Sequence, residues 1–125
     1  MVNLDDLIVE SDYISLNCTL NPTSFHLIGL DELLRMKDTC YVINTCRGPV
    51  IQESALVTAL QKGIIAGAAL DVFEHEPLAE DSPLRKLENC FLAPHNANSS
   101  PKAWRLVHEN TIKNLLLGLE KGNRN

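Results

Sequence analysis

The sequence predicts an α/β fold, a parallel sheet with flanking helices. Three observations lead there. Short runs rich in β-branched and aromatic residues alternate with longer amphipathic runs. The short runs are almost continuously apolar, which suits strands covered on both faces of a parallel sheet. The stretches between them are long enough to carry right-handed crossover helices.

The elements follow in order along the chain. Leu4–Glu10 forms a short helix, with Asn3 at the N-cap and Asp6 at the N3 position of a capping box. Residues 13–18 read as a strand. Leu27, Leu30, Leu33, Leu34 and Met36 recur at helical spacing. Residues 40–45 are a second strand. Residues 53–62 carry Ala55, Leu56, Ala59 and Leu60 on one helical face, and Gly63 stops the helix as its C′ residue. Residues 66–72 and 90–93 are two further strands. The last helix opens on Ser100 as N-cap and Pro101 at N1. Its apolar stripe is Trp104, Val107, Thr111, Leu115 and Leu119, and Gly122 closes it. The Leu115-Leu116-Leu117 stretch reads as core or inter-domain packing. Because the chain opens on a helix that normally follows a strand, the order reads as the second half of a doubly wound sheet.

Composition sets the outer bounds. The chain has 125 residues, 45% of them hydrophobic, enough for one domain with its own core. Sixteen acidic against eleven basic side chains give a net charge of -5, which argues against nucleic acid as a partner. No apolar run approaches the roughly 20 residues of a membrane span, and the acidic opening is unlike a signal peptide. Cys18, Cys40, Cys46 and Cys90 form no CxxC pair, and no His stands beside them at ligand spacing. Free thiols in a reducing cytoplasm are expected, with no metal site.

In a parallel α/β sheet, ligands bind outside the carboxyl ends of the strands. Those ends carry Cys18-Thr19, Thr45-Cys46-Arg47-Gly48-Pro49, Asp71-Val72-Phe73-Glu74-His75-Glu76-Pro77 and Pro94-His95-Asn96-Ala97-Asn98. One edge therefore gathers an Arg, a Glu, a His and an Asp. A guanidinium grips a carboxylate with two parallel hydrogen bonds. An imidazole moves a proton near neutral pH, and a carboxylate beside it fixes its tautomer. The set suits a substrate with a carboxylate next to a carbonyl or hydroxyl. Taken singly, Arg47 is a turn residue, His95 a structural cap and Glu76 a loop charge with Glu74 as rival. His26, His75 and His108 take surface or satisfied-core roles.

Three ordered motifs carry a resemblance. Asn44-Thr45-Cys46-Arg47-Gly48-Pro49-Val50, Gly67-Ala68-Ala69-Leu70-Asp71-Val72-Phe73-Glu74-His75-Glu76-Pro77-Leu78 and Ala93-Pro94-His95 resemble the D-isomer-specific 2-hydroxyacid dehydrogenases, in the C-terminal part of their NAD-binding domain. The resemblance implies a Rossmann-like fold and hydride transfer with NAD, NADP being the alternative. It implies that Arg47 binds the substrate carboxylate, that His95 is the general acid/base and that Glu76 pairs with His95. Asp71 resembles the residue that contacts the nicotinamide end. Cys18, Thr45, Cys46, His95 and Asn98 resemble other cofactor-lining positions.

The chain also departs from the pattern. Its glycines, at 29, 48, 63, 67, 118 and 122, cannot form the G-x-G-x-x-G loop that cradles a pyrophosphate. Residues 1–125 are therefore expected to be a partial NAD(P)-binding domain, without the Gly-rich half and without a substrate domain. Asn96-Ala97-Asn98 stands where a glycine-containing turn is usual, and Asn17 where a His is usual. Two functions are expected to compete. One is an oxidoreductase acting on a small 2-hydroxy or 2-keto acid, as a homodimer or self-associated chain. The other is a truncated, non-catalytic remnant that acts only through protein association.

Overall fold

The computed structural model describes residues 2–97 and 99–122. The chain divides into two units, one up to His95 and one from Asn96 onward. The first unit holds helix α1 (Leu4–Glu10), strand β1 (Tyr13–Leu16), α2 (Leu30–Arg35), β2 (Tyr41–Asn44), α3 (Glu53–Gln61), β3 (Gly67–Leu70) and β4 (Cys90–Leu92). Single turns of 3-10 helix lie at Gly48–Val50 and Pro83–Lys86. The second unit is α4 (Pro101–Gly122) and the residues that lead into it.

The four strands are parallel and stand in the order β1-β2-β3-β4. Leu16 is level with Asn44, and Asn44 with Leu70. All four carboxyl ends therefore share one edge, and the loops that follow them share it too. This is the parallel α/β sheet that the sequence predicts, with β1 at one side of it.

The caps behave as the sequence indicates. The Asn3 side chain accepts from the Asp6 amide at 2.8 Å. Gly63 ends α3 at φ 63°, in the left-handed region that glycine enters freely. The Ser100 hydroxyl accepts from the Ala103 amide at 3.1 Å.

One expectation needs correction. The helical spacing that begins at Leu27 does not make a helix there, because Ile28 is taken up in a parallel bridge to Ile51. Its amide donates to Val50 and its carbonyl accepts from Gln52, so α2 starts only after Gly29. Within the first unit, the described helices cover one face of the sheet. One face, with Ile14, Leu16, Val42, Ala68 and Leu70, packs into a core with Ile8, Leu33, Leu56 and Leu60 from α1, α2 and α3. The other face leaves Tyr13, Tyr41 and Phe91 exposed, with Tyr13 stacked on Tyr41 at 5.7 Å. In the second unit, Leu115, Leu116 and Leu117 are exposed along α4, which leaves inter-domain packing as their reading. No described helix is long and apolar enough to cross a membrane.

Candidate active site

Each candidate residue sits where a strand ends and its backbone must turn. At the end of β2, the Asn44 side chain is almost fully buried and builds the next turn. Its amide nitrogen donates to the Arg47 carbonyl at 3.0 Å, and its oxygen accepts from the Cys46 amide at 3.1 Å. A buried amide satisfied on both sides is rigid. It presents Thr45 and Arg47 to solvent, with Arg47 Nη1 donating to the Cys46 carbonyl at 2.6 Å.

The turn after β2 lies against the loop after β3. A β-carbon on Gly48 would stand 1.8 Å from the Phe73 carbonyl oxygen, so only glycine fits. Asp71 is buried at the end of β3, and its amide donates to the Asn44 carbonyl at 2.9 Å. Beyond it, Glu76 folds back so that one carboxylate oxygen accepts from the Phe73 amide at 3.0 Å. The other oxygen lies 2.7 Å from His95 Nδ1. The hydrogen bond from His95 is the main cause that holds the Glu76 carboxyl below the usual carboxylate range. The Phe73 amide and the charges of His95 and Arg47 add to this, against partial burial. An ionised Glu76 only accepts, so the proton of the neutral His95 ring sits on Nδ1 and the lone pair on Nε2.

His95 itself has φ 55°, in the left-handed region. A non-glycine residue held there outside a core is a strained position of the kind found at functional sites. Glu76 and His95 line a cavity of about 550 Å³ with Phe73, Leu78, Arg85 and Leu92. A second cleft, of about 500 Å³, opens between the ends of β1 and β2 and is lined by Asn17, Cys18, Thr19, Leu20, Thr45, Cys46 and Arg47.

The structure thus brings Arg47, Glu76 and His95 to one edge and pairs Glu76, not Glu74, with His95. It places Cys18, Thr45 and Cys46 in the adjoining cleft, and Asp71 at the end of the strand beside them. Asn98 lies outside the described residues. Asn44 and Glu53 are positioning features that spacing alone did not single out. A polar residue closing an apolar strand was the available signal for Asn44. Nothing local marked Glu53.

The strand-end cleft fits the nicotinamide end of a dinucleotide. Its walls combine short polar side chains with Leu20, and buried Asp71 follows the strand beside them. Cys18, Thr45, Cys46 and Asp71 would hold that end.

Comparison with known proteins places these features. Residues 1–97 match the family described as D-isomer specific 2-hydroxyacid dehydrogenase, NAD binding domain. A glyoxylate reductase of Thermofilum pendens is 47% identical over 118 residues, which cover 94% of this chain and 35% of that protein. The NAD-complexed D-isomer specific 2-hydroxyacid dehydrogenase of Lactobacillus delbrueckii ssp. bulgaricus superposes with a TM-score of 0.83 at 31% identity, over 99% of this chain and 41% of that one. An acyclic imino acid reductase in complex with NADPH and D-Arg gives 0.88 at 32% identity, over 96% of this chain and 38% of that one. The chain thus spans about a third of the length of the relatives it matches. It belongs to the D-isomer specific 2-hydroxyacid dehydrogenase family, with residues 1–97 matching that family's NAD-binding domain.

Proposed function

We propose that this chain supplies the nicotinamide-facing and proton-transferring part of an NAD(P)-dependent dehydrogenase that interconverts a D-2-hydroxy acid and its 2-keto acid. The observation that carries the reading is the Glu76–His95 hydrogen bond at the strand edge that also presents Arg47. NAD is the favoured dinucleotide. When bound, its nicotinamide supplies the hydride for reduction or accepts it in oxidation. Arg47 grips the substrate carboxylate and polarises the neighbouring carbonyl. His95 gives a proton to the 2-oxygen in reduction and removes it in oxidation. Glu76 holds the imidazole in one tautomer and stabilises its charged form. The pyrophosphate cradle and the substrate domain lie outside these residues, so turnover requires a complementary half.

The test is a chimera in which this chain replaces the matching segment of the Thermofilum pendens relative. It should oxidise NADH with glyoxylate, and His95→Gln should lower turnover by roughly 10²–10⁴-fold. A folded chimera that binds NADH but gains nothing from His95 would discard the reading.

One observation favours association as a second role. The open sheet face exposes Tyr13 at 71% and Phe91 at 72%, with Tyr41 between them. A second copy of the chain, as a homodimer or larger assembly, would cover that surface. Light scattering on the purified chain should show association. A monomer at every accessible concentration would remove this role.

A further inference from the structure

A second charged cluster lies beside the candidate site and takes no part in the chemistry proposed above. His26 is half-buried, and its backbone has φ 51°. Its amide donates to the Pro49 carbonyl at 2.8 Å, and its ring stacks on Phe25. His26 Nε2 pairs with one carboxylate oxygen of Glu74. The other Glu74 oxygen accepts from the Glu53 amide at 3.1 Å, and a Glu53 carboxylate oxygen accepts from the Glu74 amide at 3.1 Å.

These contacts cap a helix from a distance. Glu53 is the first residue of α3, and the N-cap Gln52 gives no side-chain hydrogen bond. The free amide at that terminus is satisfied instead by Glu74, 21 residues further on. A carboxylate there also meets the positive end of the helix dipole.

Three loops meet at this node. One carries His26. The second runs from Arg47 through Gly48 and Pro49 and is fastened by the Pro49 carbonyl and the Gly48–Phe73 approach. The third carries Phe73, Glu74 and Glu76. Glu76 is on the surface, and its direction depends on the Phe73 amide, one residue from Glu74. A catalytic constellation tolerates displacements of only about 0.5 Å, so a surface carboxylate on a loop needs a fixed base. We infer that His26, Glu74 and Glu53 form a positioning node that locks the loop of Glu76 and the turn of Arg47 in register. The catalytic meaning of this node rests on the dehydrogenase reading of Arg47, Glu76 and His95. The geometry of the node does not.

The test needs neither substrate nor cofactor. Carbon-13 titration of the Glu76 carboxyl in the 125-residue chain reads whether Glu76 keeps its partners. Glu74→Gln removes the charge, and His26→Asn removes the ring while keeping a residue that tolerates the left-handed region. His75→Ala, in the same loop but outside the node, is the control. In Glu74→Gln and His26→Asn the Glu76 midpoint should rise toward the ordinary carboxylate range, while the control stays with the wild type. A purely structural tie would lower the melting temperature and leave the midpoint unmoved, which would overturn the proposal. If Glu74→Gln does not fold, His26→Asn decides. If neither folds, the node is a folding element and the proposal falls. Lost activity in a chimera whose Glu76 midpoint is intact would count against the dehydrogenase reading and not against the node.

Discussion

Gly48 packs so tightly against Phe73 that a β-carbon would stand 1.8 Å from the Phe73 carbonyl oxygen and 2.5 Å from the next amide nitrogen. The obstacles are backbone atoms, so no rotamer change relieves them. Gly48→Ala must separate the Arg47 turn from the Glu76 loop. The expected loss of stability is at or above the upper end of the roughly 1–3 kcal/mol usual for overpacking. Urea unfolding measures it, and a loss below about 1 kcal/mol would contradict this geometry.

The proposed grip of Arg47 on the substrate carboxylate needs a planar fork, and lysine offers only a point charge. In the chimera, Arg47→Lys should lower kcat/KM at least about tenfold, or about 1.4 kcal/mol of transition-state stabilisation. NADH affinity should change far less. Steady-state kinetics with glyoxylate, beside NADH titration, separates the two effects. Unchanged kcat/KM would remove Arg47 from substrate binding.

The His95 hydrogen bond lowers the pKa of the Glu76 carboxyl. A carboxylate depressed on folding stabilises the native state above its ordinary range, and this contribution is lost as pH falls through the depressed value. The stability gap between wild type and Glu76→Gln should therefore be present above the ordinary carboxylate range and close as pH falls through the depressed value. The gap is small, because about a third of the side chain is exposed. Urea midpoints between about pH 7 and about pH 2.5 give the answer. A gap that keeps growing as pH falls below the ordinary carboxylate range would mean that Glu76 is not held as an anion.

Two thiols should resist alkylation. Burial pushes the Cys90 thiol up to about 11, and the Glu53 carboxylate adds to the shift. Cys40 is fully buried, and that burial also raises its pKa. Alkylation follows the thiolate. Both cysteines should react with iodoacetamide at least about tenfold more slowly than a free cysteine near pH 8. Peptide mass spectrometry over time reads each site. A rate for Cys90 equal to that of the free amino acid would contradict its place at the edge of the core.

Local chemistry made much of the fold legible. Asn3, Gly63, Ser100 and Pro101 mark helix ends because a cap is written within a few residues of the turn it serves. The strands announce themselves by apolar runs, and their shared edge follows from parallel pairing. Long-range partners were not legible. Leu27 keeps helical spacing with Leu30 and Leu34, yet the Ile28–Ile51 bridge claims its neighbour, and spacing carries no trace of that bridge. His26 reads as an ordinary satisfied histidine. Its partner Glu74 is 48 residues away and is also one of two plausible partners for His95. Only the folded loop separates Glu74 from Glu76.

The central claim is that the carboxyl edge of the sheet receives the nicotinamide and the substrate carboxylate. Amide chemical-shift mapping on the chain tests it most directly, first with NADH and then with oxamate, an analogue of a 2-keto acid. NADH should perturb the amides of Cys18, Thr45, Cys46 and Asp71, and oxamate those of Arg47 and His95. Perturbation at the opposite edge, around Asp12, Ala66 and Asn89, or none at millimolar ligand, would contradict the account.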